Sequence, residues 1–583
     1  MLRVAILTVC VLGTACRPVP SARPALTTTA ETSGFVRTGR YEEVVRLCHD
    51  LATAHPGVAH CDELGRTGQD RPLVAVRLER RRDAPMVLIQ AGIHAGEIEG
   101  KDAGLALLRE ILAGRELPGI LEHVSIVFVP VLNPDGHERF APNHRPNQRG
   151  PAEMGERTNG ARLNLNRDYL KADSPEIRAL LAVITRRDPV LLVDLHTTDG
   201  AKFEHDIAVM VNAVAPRPDG LDEAAAALST SVMADLTARG HLPLDFYPSF
   251  VDEEVPGSGF ERGEAPPRFS HAYAAARGRL AALVETHSWR TYAERAHSTT
   301  NAVRALLAFA ATHADAWQAL ARDVDRADAA LGGTLVPLAW QPTPVARDLA
   351  FRGYAYEIRT SDLTGGRWTV YDETRPEIWT VPLYTELEPA LQVTAPTGGY
   401  VIDGGYAAAV AAVLDRHGLV YAPLPPGRAL DLEVFRATAV TFAPPYEGRT
   451  RASFTGAWAP EARTPERGAL FVPIAQPHAR LLLHLLEPTG PDSFAQWGVF
   501  NTVFEAKEYV EPYVAEQAAR ELFARAPARR AAFDEFVRAH PDLPPAARLA
   551  WIARQLPSWD ERQDLLPVYR SAHDLRGPGT RAR

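Results

Sequence analysis

Several kinds of protein are excluded by what this chain has little of. Four cysteines in 583 residues are too few for a disulfide-built scaffold. None of them stands in a spacing that binds zinc or resembles a cysteine nucleophile. Positive charge is in deficit, with 63 Lys+Arg against 72 Asp+Glu and a formal net charge of −9. No basic patch or stacking motif offsets that balance, so nucleic acid is not an expected partner. The one apolar run near the N-terminus is too short to span a bilayer as a stable helix, which takes about 20 residues. No internal repeat occurs, and no low-complexity block beyond the N-terminal stretch. What remains is ordinary globular composition, 46% hydrophobic and 23% charged, in a chain long enough to bury at least two cores.

The first residues, Met1-Leu-Arg3 and then Val4 to about Ala15, read as the positive and apolar parts of a signal peptide. Leu12-Gly-Thr-Ala-Cys16 resembles a lipoprotein cleavage box with Cys16 as the lipidated residue, and ordinary secretion is the alternative. Residues 1–16 are therefore read as a signal peptide and 17–38, rich in Pro, Thr, Ser and Ala, as a flexible tether. The expected location is secreted, periplasmic or cell-envelope, with membrane contact through the N-terminal lipid alone. Cys48 falls in an amphipathic helix and Cys61 in the strand after it. In an oxidising compartment they can form a disulfide; two independent buried thiols is the other reading.

Chemistry-bearing residues occur at the ends of apolar runs. Met86-Val-Leu-Ile-Gln-Ala-Gly-Ile closes on His94-Ala-Gly-Glu97 and opens into a helix reaching about Leu112. Val124-Ser-Ile-Val-Phe-Val-Pro-Val-Leu runs into the turn Asn133-Pro-Asp-Gly136. Asn159-Gly-Ala-Arg-Leu-Asn-Leu-Asn166-Arg167-Asp168 follows, then Pro189-Val-Leu-Leu-Val-Asp-Leu-His196 and Arg279-Leu-Ala-Ala-Leu-Val-Glu285. Strand ends at the carboxyl edge of a sheet are where α/β proteins build sites. Two imidazoles and a carboxylate can coordinate one zinc ion and leave a position open for water. Taken singly, each residue has a plainer reading: core histidines satisfied by the backbone, an ion pair at Glu285, a local Arg167–Asp168 pair. The shared order of the motifs weighs against those readings.

In this order the motifs resemble the zinc carboxypeptidases, the carboxypeptidase A/B superfamily of metallopeptidases, over roughly residues 40–310, as a bacterial secreted member. The resemblance implies His94, Glu97 and His196 as ligands of one Zn2+ ion and Glu285 as general base/acid. It implies Asn166 and Arg167 as the pair that grips the substrate's terminal carboxylate. The family also has an arginine before that pair that polarises the scissile carbonyl. An Arg-x-Asn pattern beginning at Arg145 favours that residue, and Arg149 stays open. The family's mobile-loop tyrosine has no match at the expected spacing between Glu253 and Tyr273. Arg268, in the segment that forms the family's side-chain pocket, is a candidate substrate-binding residue that would favour an acidic terminal residue; a solvated surface arginine is the alternative.

The implied fold is α/β, a mixed, mostly parallel eight-stranded sheet between helices, filling residues 39–327. From about Leu331 short strand-like runs broken by Pro and Gly suggest a β-rich accessory domain, 328–583. Residues 407–417 read as a helix, and 505 to about 580 as a helical tail. The expected activity is zinc-dependent hydrolysis of a C-terminal peptide bond, with a peptide or muropeptide as substrate. A zinc amidase, deacylase or cell-wall peptidase on the same site is the second reading. An inactive peptide-binding protein is the third.

Overall fold

The computed structural model describes residues 26–211 and 220–576. Its centre is an eight-stranded sheet built from β1 (Ala59–Arg66), β2 (Pro72–Leu78), β3 (Met86–Ala91), β4 (Ser125–Val129), β5 (Leu191–Thr197), β6 (Ile207–Val211), β7 (Pro243–Leu244) and, after a short β8 (Phe260–Glu261) outside it, β9 (Leu280–Thr286). The spatial order is β1-β2-β4-β3-β5-β9-β6-β7. The four inner strands β4, β3, β5 and β9 are mutually parallel; the β1–β2, β2–β4 and β6–β9 pairs are antiparallel, and β7 is parallel to β6. Every residue of β3, β4, β5 and β9 is buried. That is why these segments read as unbroken apolar runs: parallel strands are covered on both faces. Each Leu, Ile or Val removed from water there contributes about 1.5–3 kcal/mol.

Helices cover both faces. On one side α2 (Tyr41–Ala54), α3 (Glu99–Leu112), α6 (Leu221–Ala238) and the long α8 (Tyr292–Asp328) pack against Val87, Ile89, Val193 and Val284. On the other, α5 (Pro175–Arg187) and α7 (Ser270–Ala276) share a core with the C-terminal region. A disulfide joins Cys48 of α2 to Cys61 of β1. Cys16 and the signal segment lie outside the described residues. The described part of the expected tether, residues 26–38, is docked. It carries a one-turn helix, α1 (Thr29–Thr32), with a Thr28/Glu31 capping box. Glu31 receives Arg109 at 2.7 Å and Ala30 is fully buried.

Beyond α8 the chain builds β ribbons. β10 (Leu335–Pro342) pairs with β13 (Leu387–Thr394), and β11 (Ala346–Thr360) with β12 (Arg367–Tyr384). β12 is one strand through Pro376 and Pro382, where the sequence suggested two short ones; Pro376 stands at a shift of register against β11, and such irregularities tolerate proline. A six-stranded sheet follows, from β14 (Gly399–Ile402), β15 (Ala422–Pro423), β16 (Leu430–Phe442), β17 (Ala452–Arg463), β18 (Leu470–Pro473) and β19 (Leu565–Ser571). Its helices are α9 (Ala407–His417) and α10 (Ala479–Leu486). The tail is helical over Pro512–Ala553 and then returns as β19, a buried strand between β14 and β16 rather than more helix. No helix among the described residues is long and apolar enough to cross a membrane.

Candidate functional site

Sheet register brings the site together. His196 and Glu285 end adjacent parallel strands and stand directly opposite each other, while His94 and Glu97 lie just beyond β3, the next strand over. Ligand atoms of His94, Glu97 and His196 lie within 4.8 Å of one another, and all three residues are buried. Nδ1 of His94 is 2.9 Å from Glu97 Oε1, and Nδ1 of His196 is 2.9 Å from Glu97 Oε2. Two imidazoles and a carboxylate converging through one nitrogen each make a donor set that fits a zinc ion with room for a fourth group. Glycine at 96 is required by packing: a Cβ there would sit 2.5 Å from the Gly155 carbonyl and 2.6 Å from Arg145 Cγ.

The outward nitrogens are held as well. His196 Nε2 is 2.8 Å from Asp194 Oδ2, two residues back and hence on the same face of β5. Ser270 Oγ also donates to that Asp194 oxygen. A carboxylate behind a metal-binding histidine fixes its tautomer and raises its basicity. Burial disfavours the charged His196 ring, but Asp194 outweighs it and lifts His196 well above the usual histidine range. His94 Nε2 meets Asn164 Oδ1 at 3.0 Å, and burial pushes this ring down to about 4. Burial also opposes the Glu97 carboxylate, yet His94 and Arg145 hold it well below the ordinary range.

Glu285 is 7% exposed, and its Oε2 finds no hydrogen-bond partner among the described residues. Burial first, and then the carboxylates of Glu97, Asp194 and Asp199, push it up to about 8 despite His196. A carboxyl group whose protonation is poised near neutrality suits proton transfer.

The structure separates the arginines. Arg145 is buried with Nη2 2.7 Å from Glu97 Oε1 and 3.1 Å from Asp199, and it does not line the cavity in front of the ligands. Arg149 turns away to Glu373 of β12, 3.0 Å distant, with its side chain 46% exposed. Arg157 does line the cavity, with Nη1 3.7 Å from Glu97 Oε1. The Arg-x-Asn pattern points to Arg145 and leaves Arg149 open, yet Arg157 too lies between the Asn133 turn and Asn166. Arg167 lines the same cavity, its guanidinium 3.9 Å above the Phe269 ring and its Nη1 donating to the Asn166 carbonyl at 2.8 Å. Asn166 Oδ1 accepts from the Ser270 amide, which ties this pair to α7. Arg268 is held elsewhere: its Nη1 and its amide both bond Asp492, at 2.6 and 2.8 Å. It is absent from the cavity wall.

The cavity holds about 380 Å3, within the ~300–1,000 Å3 of small-molecule sites. Its metal edge carries His94, Glu97, His196, Glu285 and Arg157. Its far wall is mostly apolar, with Met210, Leu283, Phe246, Phe269, Ala272 and Ala275. Leu283 faces it for a simple reason, standing two residues before Glu285 on β9. A tyrosine is also present. Tyr247 lies just upstream of the 253–273 stretch, and it lines the cavity. Burial of its hydroxyl end and the nearby Glu285 carboxylate push its pKa above the ordinary phenol value, so the hydroxyl stays protonated. Tyr273 is fully buried against His417, 2.9 Å from its Nδ1, and takes no part.

The C-terminal region reaches the site at the tip of the β16–β17 hairpin. Glu447 Oε2 accepts the Asn164 amide at 2.8 Å, and Arg449 grips Asp173 through both oxygens, at 2.6 and 3.0 Å. Tyr446 lies against Arg167. The segment that carries Asn164, Asn166 and Arg167 is therefore clamped from outside the α/β domain.

Residues 44–206 match the family model described as zinc carboxypeptidase. That span contains His94, Glu97, Asn166, Arg167 and His196 and stops before Glu285. The chain is 28% identical to human carboxypeptidase D over 203 residues, which is 28% of this chain and 15% of that protein. It is 28% identical to mouse carboxypeptidase A4 over 116 residues, 18% of this chain and 28% of that protein. The chain thus spans well under a third of the length of either relative. A solved metallo-carboxypeptidase from Pseudomonas aeruginosa, in complex with (2-guanidinoethylmercapto)succinic acid, aligns at a TM-score of 0.35 and 19% identity, covering 47% of this chain and 69% of that one.

Proposed function

We propose that the zinc carboxypeptidase-family domain of this chain removes the C-terminal residue of a peptide. One observation carries the reading: a metal-ligand set, a carboxyl with an unpartnered oxygen and an arginine for a free carboxylate share one cavity. His94, Glu97 and His196 would hold one zinc ion, which when bound supplies Lewis acidity to the attacking water and the scissile carbonyl. Glu285 takes the proton of that water on Oε2 and passes it to the leaving amine. Arg157 points its charge into the cavity where the carbonyl oxygen becomes negative. Arg145 stays behind Glu97 and orients it. Arg167 and Asn166 bind the terminal carboxylate, which a guanidinium matches with two parallel hydrogen bonds. The apolar wall of Met210, Leu283, Ala272 and Ala275 receives the terminal side chain. With Arg268 held by Asp492, that arginine does not receive an acidic terminal residue, and the apolar wall favours an apolar one.

The disulfide between Cys48 and Cys61 supports a working site outside the reducing cytosol, which agrees with secretion and with lipidation at Cys16. The deciding experiment supplies zinc to the mature protein and to its Glu285→Gln variant. Each is offered a mixed peptide library and muropeptides, and the products are read by mass spectrometry. Release of single C-terminal residues by the unaltered protein alone is the expected result. Products from muropeptides alone would move the reading to a cell-wall amidase or peptidase. Identical behaviour of the two proteins, with zinc confirmed bound, would leave a binding role.

A further inference from the structure

The hydrogen bonds behind the metal-ligand set close into a ring. Glu97 joins Nδ1 of His94 to Nδ1 of His196. From the other nitrogen of His196 the ring runs to Asp194, then to Ser270, then to the Asn166 side chain. From the other nitrogen of His94 it runs to Asn164 Oδ1, which also accepts the Asn166 backbone amide at 3.0 Å. Every member is buried, Ser270 and Asp194 completely.

Groups that can only donate fix the direction of these bonds. A backbone N–H has nothing to accept with, so Asn164 and Asn166 each turn their oxygen towards one. Asn164 Oδ1 in turn can only accept, which puts the His94 proton on Nε2 and leaves Nδ1 bare. The Asp194 carboxylate does the same for His196. With its oxygen engaged by Ser270, Asn166 keeps its NH2 group for donation into the cavity that it lines.

Ser270 is where the two functions of the site meet. Its hydroxyl donates to the same Asp194 oxygen that backs His196, and its amide donates to Asn166 Oδ1 at 3.0 Å. The Asn164 arm of the ring reaches Asn166 through the backbone, whereas the Ser270 arm reaches the side-chain amide itself. Ser270 does not line the cavity, so it acts through Asp194 and Asn166 and never on the substrate directly.

We propose that Ser270 is a positioning residue that couples the metal site to the terminal-carboxylate subsite, so that zinc and a free C-terminal carboxylate each tighten the other's binding. This rests on the carboxypeptidase reading. With His196 held by a metal ion, Asp194, Ser270 and Asn166 are ordered together, and a carboxylate arriving at Asn166 meets groups already in place. The effect is reciprocal by linkage.

Calorimetry on the full chain, with zinc at saturation and again after its removal by a chelator, should measure binding of N-acetyl-phenylalanine and of its amide. In the unaltered protein zinc should tighten the acid about ten-fold and the amide less than about three-fold. Ser270→Ala keeps the backbone amide and removes the hydroxyl, and should bring the factor for the acid below about three. It should also weaken zinc about ten-fold in competition with a chelator. A zinc effect on the acid that survives Ser270→Ala in full would mean that the carboxylate meets the metal directly, and it overturns the proposal. Equal zinc effects on acid and amide in the unaltered protein overturn it as well. If Ser270→Ala fails to fold, Asp194→Asn breaks the same link from β5 and the same outcomes decide. Peptide cleavage, followed alongside, keeps the two ideas apart. Cleavage with the coupling untouched by Ser270→Ala leaves the carboxypeptidase reading standing and ends this proposal. Coupling that Ser270→Ala abolishes, without cleavage of any peptide, does the reverse.

Discussion

The α/β half and the C-terminal half of this chain solve different problems with different texture. In the first, the strands that carry His94, His196 and Glu285 are buried along their whole length, so the backbone beneath the chemistry is fixed by packing on both faces. In the second, β11, β12, β16 and β17 are long ribbons mostly exposed or half-buried, with buried residues confined to short stretches, and no metal-ligand cluster occurs among its described residues. Yet the second half touches the site repeatedly. It supplies Glu447 to Asn164 and Asp492 to Arg268. The β8 segment beside the cavity also pairs with β12. Phe246, next to Tyr247, belongs to one small core with Phe260, Phe351 and Trp379. The loop that carries Tyr247 is thus anchored by the C-terminal ribbon. The candidate site sits in one half, and many of the contacts that hold it come from the other.

The comparison breaks most sharply if the first half does not hold the chemistry. Glu285→Gln should keep zinc and lose about three or more orders of magnitude in kcat, in line with losing a general base. His196→Ala should lose the metal as well, read by elemental analysis. If Glu285→Gln retains turnover within about ten-fold, the base lies elsewhere and the division of labour is wrong.

Next in size is the contrast between Arg157 and Arg145. Arg157→Ala should reduce kcat by about 10²–10³ with zinc retained, the range for losing one oxyanion donor. Arg145→Ala removes the partner 2.7 Å from Glu97 and should show first as weaker zinc retention on dialysis against a chelator. The opposite pattern, kcat loss with full zinc at Arg145 and none at Arg157, would return the carbonyl to Arg145.

That pair also marks where sequence reading stops. The strands, the helices of the α/β half and the grouping of His94, Glu97 and His196 were legible because burial on both faces writes an apolar run, and a residue at its end is a fixed position. Choosing among the arginines between Asn133 and Asn166 was not, because that stretch is mostly loop and its register depends on contacts such as Gly96 against Arg145. Tyr247 lies outside the 253–273 stretch where the family's tyrosine was expected, so only the folded loop shows it on the cavity wall. Residues 26–38 looked like a tether by composition, although Thr28 and Glu31 carry the capping-box spacing that places them in a helix. β19 read as tail helix because its partners, β14 and β16, lie more than 120 residues earlier in the chain.

A smaller effect tests positioning from the second half. Glu447→Ala removes the acceptor of the Asn164 amide, and Asn164 in turn touches His94 and the Asn166 amide. One partly exposed hydrogen bond is worth about 1 kcal/mol, so KM for peptides with a free C-terminus should rise about five-fold with kcat nearly unchanged. Glu447→Gln, which keeps an acceptor oxygen, should recover most of the loss. A fall in melting temperature with no change in KM would make Glu447 a purely structural contact.

The smallest effect is the pH dependence of the clamp itself. Burial alone would raise Asp173, but Arg449 and Lys171 outweigh it and hold the carboxyl below its ordinary value of 3.8. A folded value below the unfolded one means the contact stabilises fully above the unfolded value and is lost as pH falls through the folded one. Both side chains are partly exposed, 33% and 25%, so solvent screening limits the pair to about 0.5 kcal/mol. The melting-temperature difference between the unaltered protein and Arg449→Ala should therefore be small and constant above about pH 5, then close towards zero as Asp173 is protonated in both. A difference that persists unchanged at the acid end would mean that Arg449 acts through packing of its stem against the 163–173 segment. The hairpin would then be fastened by shape, and its hold on Arg167 would not loosen with acid.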